Sequence, residues 1–192
     1  MYNVIETILT RRSIRSFLDK QIPLKDLQTI LLAGSYAPTG MGMQSWKFTA
    51  IQNKNILDKI NKAIKTAILT VSNDNKLYSY VNKFIKRAQD ESYNFLYNAP
   101  TYVIVSNLES NYNSMADSSL AIGNMMLAAH SMGIGSCWLN QLPRLSNIHE
   151  IKDLLIELEI PENHKVYGSV VFGYPNEIPK VYLRKDVSKI FI

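Results

Sequence analysis

The sequence predicts an α+β fold, one domain built as a central sheet wrapped by helices. Helical and extended segments alternate along the 192 residues, yet without the regular strand–helix–strand rhythm of a Rossmann sheet. No Gly-x-Gly-x-x-Gly or P-loop follows any extended segment, so neither dinucleotide nor nucleoside-triphosphate binding has a motif behind it. A hydrophobic fraction of 46% supplies a real core, and a charged fraction of 19% with no Ser/Gly/Pro-rich run argues against disorder or a linker.

The elements follow in order. Val4–Leu9 is amphipathic. Leu24, Leu27, Ile30 and Leu31 mark a helix, with Pro23 suited to its first turn. Apolar residues at 56, 57, 60, 63, 64, 67, 68 and 71 keep a helical period, which predicts a helix over 55–72. A further helix is expected from about Leu77 to Leu96, through Val81, Phe84, Ile85 and Ala88. Residues 115–132 are apolar almost all round, as in a helix buried in a core or an interface. Ser146 is a candidate N-cap for a helix over 147–158. Between these lie β-branched and aromatic runs that read as strands: Trp46–Ile51, Tyr102–Ser106, Ser136–Leu139 and Val166–Phe172.

Several function classes lose support at once. The start of the chain has no signal-peptide pattern, and no apolar run approaches the roughly 20 residues that cross a bilayer, so a cytoplasmic protein with no membrane partner is expected. Lone Cys137 cannot form an intrachain disulfide, and His130, His149 and His164 have no ligand-spaced neighbours, so no metal site is expected. The net charge of +5 is scattered rather than massed on one helix face, which serves a single anionic ligand as well as it would serve nucleic acid.

Four segments could carry chemistry. Arg11-Arg12-Ser13-Ile14-Arg15 puts three guanidiniums and a hydroxyl within five residues, a donor set that forks onto phosphate. The plain alternative is a solvated helix end, where cations suit the dipole. Ala37–Trp46 holds Pro38, Gly40 and Gly42, which break a helix and let backbone approach a flat ring, with Gln44 as amide donor and acceptor. An ordinary helix-to-strand turn reads the same way. Gly133–Trp138 closes the apolar helix; Gly133 is explained as a C-terminal cap, and Cys137 has no basic neighbour in sequence to activate it. Gly173-Tyr174-Pro175 ends a strand, and Arg184-Lys185 follow as late positive charge or mere surface.

Taken in order, these pieces resemble the nitroreductase family of flavoproteins. That family opens with a short helix and Arg-Arg-Ser-x-Arg, continues with Ala-Pro-Ser-x-x-Asn-x-Gln-Pro-Trp and an Asn-Met-x-Leu-Ala-Ala helix ending in Gly-x-Gly-Ser-Cys-Trp, and closes with Gly-Tyr-Pro and a basic arm. The matches are Arg11–Arg15, Ala37–Trp46, Asn124–Trp138, Gly173–Pro175 and Arg184, spread over the whole chain. Gly42 stands where the family usually has Asn, Ser45 where it has Pro, and Asn140 and Gln141 where glycine is frequent.

The resemblance implies a single FMN-binding domain over 1–192 with a mostly antiparallel sheet, working as a homodimer whose two FMN sites each draw on both subunits. Arg11, Arg12 and Ser13 would hold the phosphate and ribityl end, with Arg184 closing from the C-terminal arm. Arg15 would lie at the N1/O2 edge of the ring. Pro38, Thr39, Gly40 and Gln44 would come from the other subunit, and Leu139, Asn140 and Gln141 would pass their backbone by N5 and O4. Residues 73–98 would form the variable region over the substrate site, with Tyr78, Tyr80, Tyr93 and Tyr97 as candidate lining. The implied activity is hydride transfer from NAD(P)H through the flavin to a small electron-poor acceptor such as a nitroaromatic or quinone. The flavin carries the chemistry, consistent with a sequence that offers no catalytic triad or carboxylate pair. A non-enzymatic FMN store or flavin sensor on the same fold stands as the alternative, and nucleic-acid binding as a third reading without a motif.

Overall fold

The side-chain oxygen of Asn3 accepts the Glu6 N–H at 2.8 Å and so starts the first helix, α1 (Val4–Thr10). The structure is a computed structural model and describes residues 3–71 and 78–191. After α1 come α2 (Leu24–Ser35), strand β1 (Trp46–Ile51) and α3 (Lys54–Val71). Two short helices, α4 (Tyr78–Val81) and α5 (Ile85–Gln89), lead to β2 (Thr101–Leu108) and α6 (Ser114–Ser131). Strand β3 (Gly135–Leu139), helices α7 (Gln141–Leu145) and α8 (His149–Glu157), and strand β4 (His164–Gly173) complete the domain. Pro23 stands just outside α2, its carbonyl accepting from Asp26 and Leu27.

The four strands form one sheet in the order β1-β2-β4-β3, every pair antiparallel. Strand β2 is apolar on both faces because both are covered. Tyr102 and Ile104 point into a core with α3, α7 and α8, while Val103 and Val105 point into a second core with α2 and α6. β4 divides likewise, Val171 to the first core and Val170 and Phe172 to the second. The near all-apolar α6 therefore lies in the middle of one layer, between the sheet and α2.

A Schellman turn ends α6: Gly133, at φ +74°, donates to the His130 carbonyl and Ile134 to that of Ala129. That turn feeds β3 directly, so the C-terminal end of α6 and the start of β3 are fixed relative to each other.

Two expectations are corrected. The helix expected from Leu77 to Leu96 stops at Gln89; Leu77 itself lies outside the described residues. Asp90 takes the Ser92 N–H and hydroxyl on its carboxylate, and Asn94 takes the Leu96 N–H, so local side-chain bonds replace the helical ladder. The apolar residues that looked helical instead form an aromatic cluster, with Phe84 and Phe95 centroids 6.1 Å apart and Tyr93 and Phe95 5.0 Å apart. The helix expected from 147 begins at His149, and Ser146 does not cap it. Ser146 follows the separate helix α7 and donates to the Pro143 carbonyl at 3.2 Å.

Candidate functional site

The chain from Arg11 to Leu18 runs as an extended strap over the end of the sheet. Ser13 bridges Ser136 in parallel, the Ile14 N–H donates to the Ser136 carbonyl at 3.0 Å, and Phe17 bridges Pro175. The basic segment thus lies beside β3, and Arg11, Ser13 and Arg15 surround Cys137.

Arg11 is half-buried, and its Nη1 is fully enclosed with no hydrogen-bond partner. Burial, then the charges of Arg12 and Arg184, hold its pKa below the ordinary arginine value, against a smaller opposing pull from Cys137. Three cations therefore share one spot, with Arg184 brought there from the C-terminal arm. Arg12 is partly engaged, its Nη1 donating to the carbonyls of Leu9 at 2.7 Å and Arg11 at 2.8 Å. His130 joins the group from α6, its Nε2 lying 2.9 Å from the Thr10 hydroxyl; burial, then Arg11 and Arg12, keep its pKa low. Nothing in the linear sequence joins His130 to Arg11; only the α1–α6 packing does.

Arg15 stands midway along the strap. Burial pulls its pKa down, but Cys137, then Tyr97 and the Glu177 carboxylate, outweigh that and leave it raised. Tyr97 reaches Arg15 from a turn in which it and Asn98 both have left-handed backbone, φ 56° and 54°. The Cys137 thiol is pushed up by burial, which outweighs the pull of Arg15, Ser13 and Arg11, so it is not an activated nucleophile.

Leu139 ends β3, and its carbonyl accepts the Ser169 hydroxyl at 3.0 Å; Ser169 in turn accepts the buried Tyr102 hydroxyl at 2.7 Å. Asn140 turns its side chain back, its Oδ1 accepting Trp138 Nε1–H at 2.8 Å, and Gln141 opens α7 with a buried, unpartnered Oε1. Asn140 sits at φ −110°, so the position makes no demand for glycine. Arg144, one turn into α7, lies over the Tyr80 ring at 5.5 Å.

Pro38, Thr39, Gly40 and Gln44 are not part of this cluster. Their loop is fixed to the opposite end of α6: buried Asp117 accepts the Gly40 N–H at 3.0 Å, and the Ser45 hydroxyl donates to Asn107 at 2.7 Å. Asp117 and His130 are thirteen residues apart on one helix, which is about 20 Å of axis. Within the loop Met41, Gly42 and Gln44 have φ of 55°, 66° and 46°, a contour that turns Met41 outward at 97% exposure. The sequence flagged this loop but gave no sign of Asp117 as its anchor.

Large apolar side chains are exposed nearby. They include Val4, Ile5, Ile8 and Leu9 on α1, Leu24 and Leu32 on α2, and Ile178, Leu183, Val187, Ile190 and Phe191 along the arm. The four on α1 lie on consecutive turns of one short helix, and clustered exposed apolar side chains of that kind mark an interaction surface. Among the described residues no helix is long and apolar enough to cross a membrane.

Comparison with known proteins agrees with the geometry. The model of the nitroreductase family matches residues 8–174. A crystal structure of a nitroreductase with bound FMN from Bacteroides fragilis is 41% identical, covers 100% of both chains and superposes with a TM-score of 0.89. An Archaeoglobus fulgidus protein that carries the provisional name NADH dehydrogenase/NAD(P)H nitroreductase is 30% identical over 97% of this chain and 93% of its own. An iodotyrosine deiodinase from Haliscomenobacter hydrossis is 26% identical over 95% of this chain and 84% of its own.

Proposed function

The chain belongs to the nitroreductase family, and on that premise we propose that it works as a homodimeric, FMN-dependent NAD(P)H oxidoreductase with two sites, each shared between subunits. The observation that carries the reading is Arg11, a cation held among Arg12 and Arg184 with a buried, unpartnered nitrogen. Such a cluster is unfavourable alone and becomes favourable around a phosphate, whose oxygens accept what Arg11 cannot donate elsewhere. The residues present therefore fit the terminal phosphate of FMN. FMN-bound and FMN-reducing relatives point to the same cofactor.

When bound, FMN supplies the redox chemistry, accepting hydride from a reduced nicotinamide and passing electrons to an electron-poor acceptor. The protein binds, orients and polarises. Arg11, Arg12, Ser13 and Arg184 hold the phosphate and ribityl end. Arg15 would set a positive charge at the pyrimidine edge, where reduction adds negative charge. The end of β3, with the Leu139 carbonyl held by the Ser169 hydroxyl, would set its backbone beside the reacting edge. One chain places the basic cluster and the Gly40 loop at opposite ends of α6, about 20 Å of helix axis apart, so each site takes the loop from its partner. The exposed face of α1 and the arm supply the apolar surface for that pairing. Tyr80 and Tyr97, half-buried beside Arg144 and Arg15, line the acceptor side.

Nitroaromatics and quinones are the proposed acceptors, reduced by a ping-pong sequence in which nicotinamide leaves before acceptor binds. Purified protein should be yellow and release FMN on heating. It should oxidise NAD(P)H continuously with a nitroaromatic acceptor, giving parallel double-reciprocal lines. Release of FAD refutes the cofactor. Bound FMN without sustained turnover refutes the enzyme in favour of an FMN store.

A further inference from the structure

The root of the C-terminal arm is tied to the basic strap by a short ladder. The Leu18 N–H donates to the Tyr174 carbonyl at 2.9 Å, and the Asn176 N–H to the Ser16 carbonyl at 2.9 Å. The ladder brings Glu177 against Arg15, whose backbone N–H donates to the Glu177 carboxylate. The carboxylate is thus anchored at the Arg15 backbone, and Tyr97, from the 90–100 turn, and Glu177 both lie within electrostatic reach of the Arg15 guanidinium. A backbone N–H needs only a neutral acceptor such as an amide oxygen. Here it meets a full negative charge, within electrostatic reach of both Arg15 and Cys137.

We propose that Glu177 tunes the redox potential of the bound flavin, its carboxylate opposing the Arg15 charge at the pyrimidine edge and so disfavouring reduction. The inference rests on the placing of Arg15 given above. Arg15 alone would favour keeping electrons on the ring. Glu177 offsets part of that charge, and the electrons pass on to the acceptor with more driving force. The carboxylate is exposed, so solvent screens its effect, and a several-fold change in the reduction equilibrium is the scale to expect.

The test is an equilibrium dye-coupled titration of the FMN-loaded protein. Glu177→Gln keeps an oxygen for the Arg15 N–H and removes only the charge. It should favour reduction several-fold; a full tenfold change equals about 30 mV for two electrons. Glu177→Asp keeps the charge and should stay close to wild type. Arg15→Ala should move the potential in the opposite direction, and the double variant should fall between the two. If Glu177→Gln leaves the potential unchanged while Arg15→Ala lowers it, Glu177 is only a backbone acceptor and the proposal is overturned. If Arg15→Ala also leaves it unchanged, the placing of Arg15 fails first and Glu177 with it. Should the Gln variant not retain flavin, Glu177→Ser removes the same charge without a long side chain, and the same rise is expected.

Discussion

Replacing Arg11 by Met separates cofactor binding from fold stability, because the two should change in opposite directions. Without ligand, Arg11 is a partly desolvated cation beside Arg12 and Arg184, with one nitrogen enclosed and unpaired. Met keeps most of the apolar stem and removes the repelled charge, so the cofactor-free protein should melt at the same or a higher temperature. With FMN the substitution removes a charge-assisted contact worth about 1.5–3 kcal/mol, which is roughly a 10- to 150-fold loss of affinity. Riboflavin has no phosphate, so its affinity should change little. Flavin fluorescence titrations with FMN and riboflavin, and melting curves with and without cofactor, read all of this. If riboflavin weakens by the same factor as FMN, Arg11 does not meet the phosphate. If the cofactor-free variant is clearly destabilised, the unrelieved charge cluster is not what the structure implies.

Three further outcomes follow from other parts of the molecule. Light scattering should give about twice the 21.9 kDa chain mass, and Leu9→Asp on the exposed face of α1 should lower both that mass and flavin retention; a flavin-bound monomer refutes the shared site. Tyr102→Phe removes the buried donor to Ser169 and should cost about 1 kcal/mol in urea unfolding, with no loss if the hydroxyl is structurally idle. Because the folded pKa of His130 lies below the unfolded value of 6.5, the unfolded chain protonates first on acidification. Stability from this group is complete above pH 6.5 and declines as pH falls towards the folded value, and His130→Gln should flatten that part of the pH–melting curve. An unchanged slope assigns acid sensitivity to other groups.

How much of this was legible in the sequence depended on whether neighbours in the chain were also neighbours in space. The 18-residue helices α3 and α6 and the run from Tyr102 to Ser106 were readable because burial imposes a period on consecutive residues. The region after Val81 was not, because Phe84, Tyr93 and Phe95 pack as a cluster across turns, and apolar spacing alone does not distinguish a cluster from a helix face. The basic strap was readable as a cluster of donors since Arg11 to Arg15 are contiguous. Glu177, His130 and Asp117 were invisible as site residues: each acquires its role from a strap or loop packed against it from far along the chain. The sequence also gave no distance between the basic segment and the Gly40 loop, which is where the argument for two subunits lies.

The stretch of α6 between His130 and Asp117 has a consequence for mixtures of subunits. In the symmetric pair proposed above, one chain's α6 would deliver its cation end to one flavin and its loop end to the other. A chain damaged at Arg11 and a chain damaged at Asp117 would each be poor alone, since in either pure dimer both pockets carry a lesion. Refolded together at equal amounts, half the dimers would be hybrids. In each hybrid both lesions gather in one pocket and leave the other whole, so about a quarter of all pockets would recover. Two crippled preparations would thus restore each other on mixing, as they could not if every pocket were built from a single chain.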